Sequence, residues 1–270
     1  RVYGESSNQE TGSAIERIDD VDGDGYDDLF IGAPGSAYDG TDSGMACLLL
    51  GPLSDVGQLS DSDACYRGEA AYDRAGLALS AGGDLDGDGV GDLLIGATGR
   101  GDGSVQSQGA VYVLPTSARG TSSLSEANLV IHGPDRYDRI GTSVAGPVDL
   151  DGDGRADLLV GAGTWDGNDG RGGIFALLGP LTDSTSLEDS DAWISGDEGS
   201  EFGSRILVSD LNGDGYDDII SGGPGEADGD AAGAVWVFSG PIEGTTDLDE
   251  AVARIGGSDW WFGTVKAMFV

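Results

Sequence analysis

Hydrophobic residues along this chain fall in short runs of four to seven, rich in Val, Ile, Leu and aromatics, and clusters of Gly, Asp and Ser separate the runs. Such runs between turn-forming clusters predict β-strands, and no stretch carries a helical period. The runs recur in a fixed order. One kind reads DLFIGAP, DLLIGAT, DLLVGAG and DIISGGP. After a Gly-rich segment a second reads GMACLLLGP, GAVYVLP, GGIFALLGP and GAVWVFSGP, and a shorter third reads DACYRG, NLVIHG, DAWISG and VARIGG. With the segment preceding each first run, every unit predicts four strands, here A to D, joined as consecutive hairpins. A lone four-stranded sheet leaves both faces to be covered, and stacking sheets radially covers them. The predicted fold class is therefore all-β, a β-propeller of four-stranded antiparallel blades, with four full blades and duplicated flanking strands.

Each predicted A-to-B hairpin carries an aspartate string: DVDGDGYDD from Asp20, DLDGDGVGD from Asp84, DLDGDGRAD from Asp149 and DLNGDGYDD from Asp210. The strings start 64, 65 and 61 residues apart, and a glycine (Gly12, Gly76, Gly141, Gly203) precedes each by eight residues, or seven in the last. This order, a variable residue with glycine, then DxDxDGxxD, then a GAP-like triplet, resembles the FG-GAP repeat of integrin alpha-subunit propellers and their bacterial relatives. Thr11, Ala75 and Ile140 replace the aromatic of the FG pair, and Thr98 and Gly163 replace the proline of GAP. The expected layout is a single propeller region over residues 1–270, with blades near 12–68, 76–133, 141–196 and 203–256 and partial strands at 1–11 and 257–270. Integrin-like propellers usually have seven blades. Three layouts are open: a piece of a longer protein, a short ring closed by overlapping ends, or a subunit whose open edges pair with neighbours.

The chemistry of the aspartate strings points to calcium. In the first, the carboxylates of Asp20, Asp22, Asp24 and Asp28 and the carbonyl of Tyr26 converge if the loop turns tightly, as Gly23 and Gly25 permit. The corresponding sets are Asp84, Asp86, Asp88, Val90 and Asp92; Asp149, Asp151, Asp153, Arg155 and Asp157; and Asp210, Asn212, Asp214, Tyr216 and Asp218, with the seventh residue again giving its carbonyl. Hard oxygen donors in this number suit calcium better than magnesium or zinc. An EF-hand is excluded because its twelfth position is a bidentate Glu, whereas Ile31, Ile95, Val160 and Ser221 stand there. About four calcium ions are expected.

Charge sharpens this picture. The chain holds 49 acidic and 13 basic residues, a formal charge of −36, which disfavours nucleic acid and anionic membrane surfaces as partners. Its longest apolar stretch, about five residues from Ile174 to Leu178, falls far short of a membrane span, so a soluble chain without membrane insertion is expected. The excess of acid over lysine has two readings, adaptation to a saline medium or a GC-rich genome.

Aligning blades on their closing glycines puts Cys47 beside Tyr112, Phe175 and Trp236, and Cys65 beside Val130, Trp193 and Ala253. The two cysteines then face each other across strands C and D, either as a disulfide or as two buried thiols. A disulfide implies an oxidising compartment.

With calcium loops at one end, the D-to-A loops (Gly68–Gly76, Gly133–Gly141, Gly196–Gly203, Gly256–Gly263) and the B-to-C loops near 35–43, 98–108, 163–171 and 225–232 emerge at the other. The resemblance implies that this face binds ligands. Tyr72–Arg74, Tyr137–Arg139 and Trp260–Trp261 offer aromatics there, which can equally pack between blades. The tripeptide Arg100–Gly101–Asp102 suggests an adhesion signal, although about 0.3 such strings arise from composition alone. His132, the single histidine, reads as structural, and no Ser/His/Asp or Cys/His set forms around it. The functional expectation is a secreted or cell-surface, calcium-stabilised, non-catalytic binding or adhesion module with a protein or glycan ligand. A self-assembling structural subunit and a lectin-like glycan binder are the alternatives.

Overall fold

A computed structural model describes residues 1–53, 57–101, 107–127, 129–163, 171–224, 233–242, 244–257 and 265–269. The first repeat forms β1 (Ile15–Ile18), β2 (Asp28–Gly32), β3 (Met45–Leu49) and β4 (Ala64–Arg67). The second forms β5 (Ala78–Gly83), β6 (Asp92–Ala97), β7 (Ala110–Pro115), β8 (Gly120–Ser123) and β9 (Leu129–His132). The third forms β10 (Ile140–Val148), β11 (Asp157–Ala162), β12 (Gly173–Leu177), β13 (Thr185–Ser186) and β14 (Ala192–Ser195). The fourth forms β15 (Arg205–Ser209), β16 (Asp218–Gly223), β17 (Ala234–Phe238), β18 (Gly244–Asp247) and β19 (Ala253–Gly257), followed by β20 (Val265–Phe269).

The expected antiparallel order of strands A to D holds in all four sheets, which are four blades of a β-propeller. Each sheet also carries a fifth strand. The segment linking strand C to strand D of one blade reaches back and pairs in parallel with the outermost strand of the blade before it: β8 on β4, β13 on β9 and β18 on β14. A one-residue bridge between Tyr3 and Gln58 repeats this arrangement at the N-terminus. On the fourth blade the place is taken by β20, which lies antiparallel to β19. In the span 257–270, where a partial strand is expected, β20 folds back onto the sheet of the fourth blade.

Each linker ends in a single 3-10 turn that buries one leucine: Leu59, Leu124, Leu187 or Leu248. Leu124 enters the core between blades one and two, Leu187 that between two and three, and Leu248 that between three and four. Alternation along the strands fills these cores. Phe30, Leu48 and Tyr66 of the first blade meet Leu93, Ile95 and Tyr112 of the second, as expected for sheets with two buried faces.

The motif glycines have a steric cause. A side chain on Gly32, Gly96 or Gly161 would place its Cβ 2.0, 2.2 or 2.1 Å from the carbonyl oxygen of Gly76, Gly141 or Gly203 in the next blade. The preceding residue of each pair, Ala75, Ile140 or Phe202, is buried and bridges to the glycine that opens strand C of the blade before. The pair thus docks one blade on another, and burial and backbone pairing set its first residue more than aromaticity does.

Cys47 and Cys65 stand opposite each other on β3 and β4 and form a disulfide, with Cα atoms 4.1 Å apart. The same register pairs Tyr112 with Val130 and stacks Phe175 on Trp193. In the fourth blade it pairs Trp236 with Arg254 rather than Ala253. The pairing differs from the expected one by one residue because Gly257, and not Gly256, closes that strand; the Arg254 guanidinium lies 5.7 Å from the Trp236 ring centre.

Candidate metal centres and the opposite face

Every aspartate string folds into a tight loop at the A-to-B hairpin. In the first, Gly23 and Gly25 adopt φ of 80° and 93°, a left-handed region that glycine enters without steric cost. Their amides then point inward: Gly23 N–H donates to Asp20 Oδ1 at 2.7 Å and Gly25 N–H to Asp20 Oδ2 at 2.7 Å. These bonds, the Gly25 one foremost, hold the Asp20 carboxyl below its ordinary range. Asp22 Oδ1 accepts from Asp24 N–H and Asp24 Oδ1 from Tyr26 N–H, at 3.1 and 2.9 Å. The second and third loops repeat the Gly89-to-Asp84 and Gly154-to-Asp149 contacts at 3.1 Å.

Carboxylate oxygens of Asp20, Asp22 and Asp24, of Asp84, Asp86 and Asp92, and of Asp149, Asp151 and Asp157 gather within 4.8 Å of one another. Two carboxylates about 4 Å apart repel by about 4 kcal/mol at an effective dielectric near 20. An all-oxygen donor set of this charge fits a hard divalent cation of calcium's size.

The ninth residue has a second task. Asp28, Asp92, Asp157 and Asp218 are buried, and each accepts the N–H of the loop's second residue: Val21, Leu85, Leu150 or Leu211, at 2.7 to 2.9 Å. In blades one, three and four the other oxygen accepts from Gly51, Gly179 or Gly240 at the end of strand C. The second blade has Thr116 at that exit, whose N–H donates to Gly91 O instead. Burial pushes the Asp92 carboxyl up to about 6, the Leu85 N–H opposes this, and Asp86 and Asp88 add to it. Asp157 is raised by burial as well. The string DxDxDGxxD therefore serves both as a donor set and as a latch between strands, and the latch was not anticipated from the sequence.

The fourth loop differs at its third position. Asn212 Oδ1 accepts from Asp214 N–H at 2.8 Å, as the aspartates do elsewhere. Its Nδ2 points inward and donates to Asp214 Oδ2 and Ser239 Oγ, both at 2.9 Å, and to Asp218 Oδ1 at 3.4 Å.

At the opposite end, Tyr72 and Tyr137 top the D-to-A loops with φ of 72° and 69°, a region costly for bulky residues. Tyr72 is 63% exposed, and the Arg136 guanidinium lies 5.2 Å from the Tyr137 ring centre. Asp73 and Asp138 are buried beneath them and accept N–H groups of Ala70 and Asp135 at 2.7 and 2.8 Å. Arg100 is occupied: its Nη1 lies 2.8 Å from His132 Nδ1 and its Nε 3.8 Å from Glu69, which also accepts the Tyr112 hydroxyl. Burial, followed by Arg100, lowers the His132 pKa. Asp102 lies outside the described residues, as do Trp260 and Trp261. Among the described residues, no helix is long and apolar enough to cross a membrane.

Four blades, each with an aspartate loop on its A-to-B hairpin and a glycine pair docking it to its neighbour, define a propeller of aspartate-loop repeats. The chain belongs to the FG-GAP repeat family, whose model matches residues 17–46, 75–114, 140–177 and 202–238. It is 36% identical over 165 residues to integrin alpha-5 of Xenopus laevis, covering 58% of this chain and 15% of that protein. It is 33% identical over 166 residues to integrin alpha-IIb of Homo sapiens, covering 59% and 16%. It is also 30% identical over 190 residues to phosphatidylinositol-glycan-specific phospholipase D of Rattus norvegicus, covering 66% and 22%. The matched stretch thus spans about a fifth or less of these relatives' length.

Proposed function

We propose that this chain is an extracellular, calcium-stabilised propeller region that serves as a non-catalytic binding or adhesion module, with a protein ligand on the face opposite the aspartate loops. The convergence of carboxylates in the loops carries the calcium reading, and the proposed ligands are the side chains and seventh-residue carbonyls given by the string. The Cys47–Cys65 disulfide supports an oxidising, extracellular setting. Similarity to integrin alpha chains supports protein recognition, and the occupied state of His132 and Arg100 supports a role without catalysis.

The test is a melting curve in millimolar calcium and in EGTA, with calorimetric titration of calcium. Sites binding at ~0.1 mM contribute ~1.5 to 3 kcal/mol each in ~1 to 10 mM calcium, so the melting temperature should fall in EGTA. An unchanged melting temperature would overturn the reading.

One observation favours a second reading, a subunit that self-associates through an open blade. On the fourth blade, Leu207 is 68% and Ile255 38% exposed. Light scattering distinguishes the two: a concentration-dependent mass abolished by Leu207→Glu supports self-association, and a constant monomer mass rejects it.

A further inference from the structure

We infer that the fourth aspartate loop is the weakest calcium site of the four and the one that holds its shape without an ion, because Asn212 fills the cation's seat with its own amide. The inference rests on the calcium reading above. In the other loops the third residue is Asp22, Asp86 or Asp151; one oxygen accepts the fifth residue's N–H at 3.0 to 3.1 Å, and a carboxylate oxygen joins the acidic cluster. In the fourth loop the outer contact is kept, with Asn212 Oδ1 accepting the Asp214 N–H at 2.8 Å, which leaves the amide nitrogen on the other side. Nδ2 is thereby turned inward, where its hydrogens meet Asp214, Asp218 and Ser239.

A second substitution supports the arrangement. The residue before the strand-C glycine is Leu50 in blade one and Leu178 in blade three, but Ser239 in blade four, where its hydroxyl accepts from Asn212. Two positions 27 residues apart therefore agree on one amide. The loop also carries one fewer carboxylate, and calcium affinity follows ligand charge. To admit an ion, Asn212 must turn, giving up its three inward contacts and the Asp214 contact. As found, the donor set of this loop does not fit a cation.

Each loop contains its own reporter. Gly25, Gly89, Gly154 and Gly215 donate their amides to the first aspartate of their own loops, so the amide resonances of these glycines in the 15N-labelled full chain follow each loop separately during a calcium titration. The expected result is that Gly215 moves at about tenfold higher calcium than the other three. Asn212→Asp brings Gly215 into line with them, and the reverse exchange Asp22→Asn delays Gly25 by a similar factor. If Gly215 titrates with or ahead of the others, the inference is overturned while the calcium reading stands. If no glycine moves, both fall. Should Asn212→Asp misfold in EGTA, the wild-type order of titration and the Asp22→Asn variant still decide.

Discussion

The first and fourth blades share a strand pattern and an aspartate loop but differ in what covers their outward faces. On the first, Ile31, Cys47, Leu49 and Cys65 are buried under Leu59, with Val2 packed alongside. The N-terminal segment is held there by Tyr3 N–H donating to Gly57 O and Leu59 N–H to Tyr3 O, both at 3.0 Å. On the fourth, Ile220, Val235 and Val237 are half-buried and Leu207 and Ile255 exposed. The same register positions in the second blade, Leu94, Val111 and Val113, are buried against the third. Blade-forming sequence is therefore a local property, whereas the burial that stabilises a blade depends on what its neighbour supplies.

Four measurements sharpen or break this contrast. The largest effect should come from Leu94→Ala, which removes a fully buried side chain between blades two and three and should cost ~3 kcal/mol in chemical unfolding. Ile220→Ala, at the same register position on the fourth blade, should cost about 1 kcal/mol or less. Equal costs would mean that the fourth face is covered in solution.

Next, replacing Cys47 and Cys65 together by Ala should destabilise the chain by about 3 kcal/mol, since the bond closes a loop with a sequence separation of 18. Calorimetry showing no loss would assign the stability of the first blade to the N-terminal cover alone.

The joints between blades supply the third test. Asp73, at the joint of blades one and two, is buried and its carboxyl is pushed up to about 6, chiefly by burial. Ser200, at the corresponding joint to blade four, is buried without a charge. The folded chain holds the Asp73 proton more tightly than the unfolded chain does. Protonated Asp73 therefore favours folding at low pH, and this contribution is lost as pH rises through about 6. Asp73→Asn should accordingly raise stability by about 2 kcal/mol at pH ~8 and leave it unchanged below pH ~4. His132 acts in the other direction: its folded pKa is lowered, so its contribution is lost on acidification. It is common to both proteins and cancels in the comparison. An Asn variant no more stable at pH ~8 would show that the site is better solvated than its burial implies.

The smallest effect belongs to Leu207→Ala, which should change stability by no more than about 0.5 kcal/mol. A larger loss would indicate that this exposed leucine packs against something in solution.

Much of this arrangement was legible in the sequence because each blade is specified by its own 60-odd residues. The alternation that buries Phe30 and Leu48 on one face and Cys47 on the other follows from the two-residue period of a strand, and the aspartate spacing could be read without structure. Three features were not. The parallel linker strands are short and polar, as in Gly120–Ser123, so no hydrophobic run marks them; the leucine standing five residues before strand D in every unit was the available signal. The latch role of Asp28 and its counterparts depends on an amide 22 or 23 residues away. The inward amide of Asn212 was hidden because Asn and Asp serve equally well as turn residues.

The borrowed outer strands bear on how the molecule can be divided. Sequence repeats and sheets do not share borders, since β8 is encoded with the second repeat yet completes the first sheet. A cut at a repeat boundary would strip one blade of its outer strand and leave the next with an unpaired C-to-D linker and an exposed leucine. Because each linker lies inside the following repeat, between its strands C and D, no single cut divides the chain along the sheets' borders, and a unit moved alone loses the outer strand that its neighbour supplies.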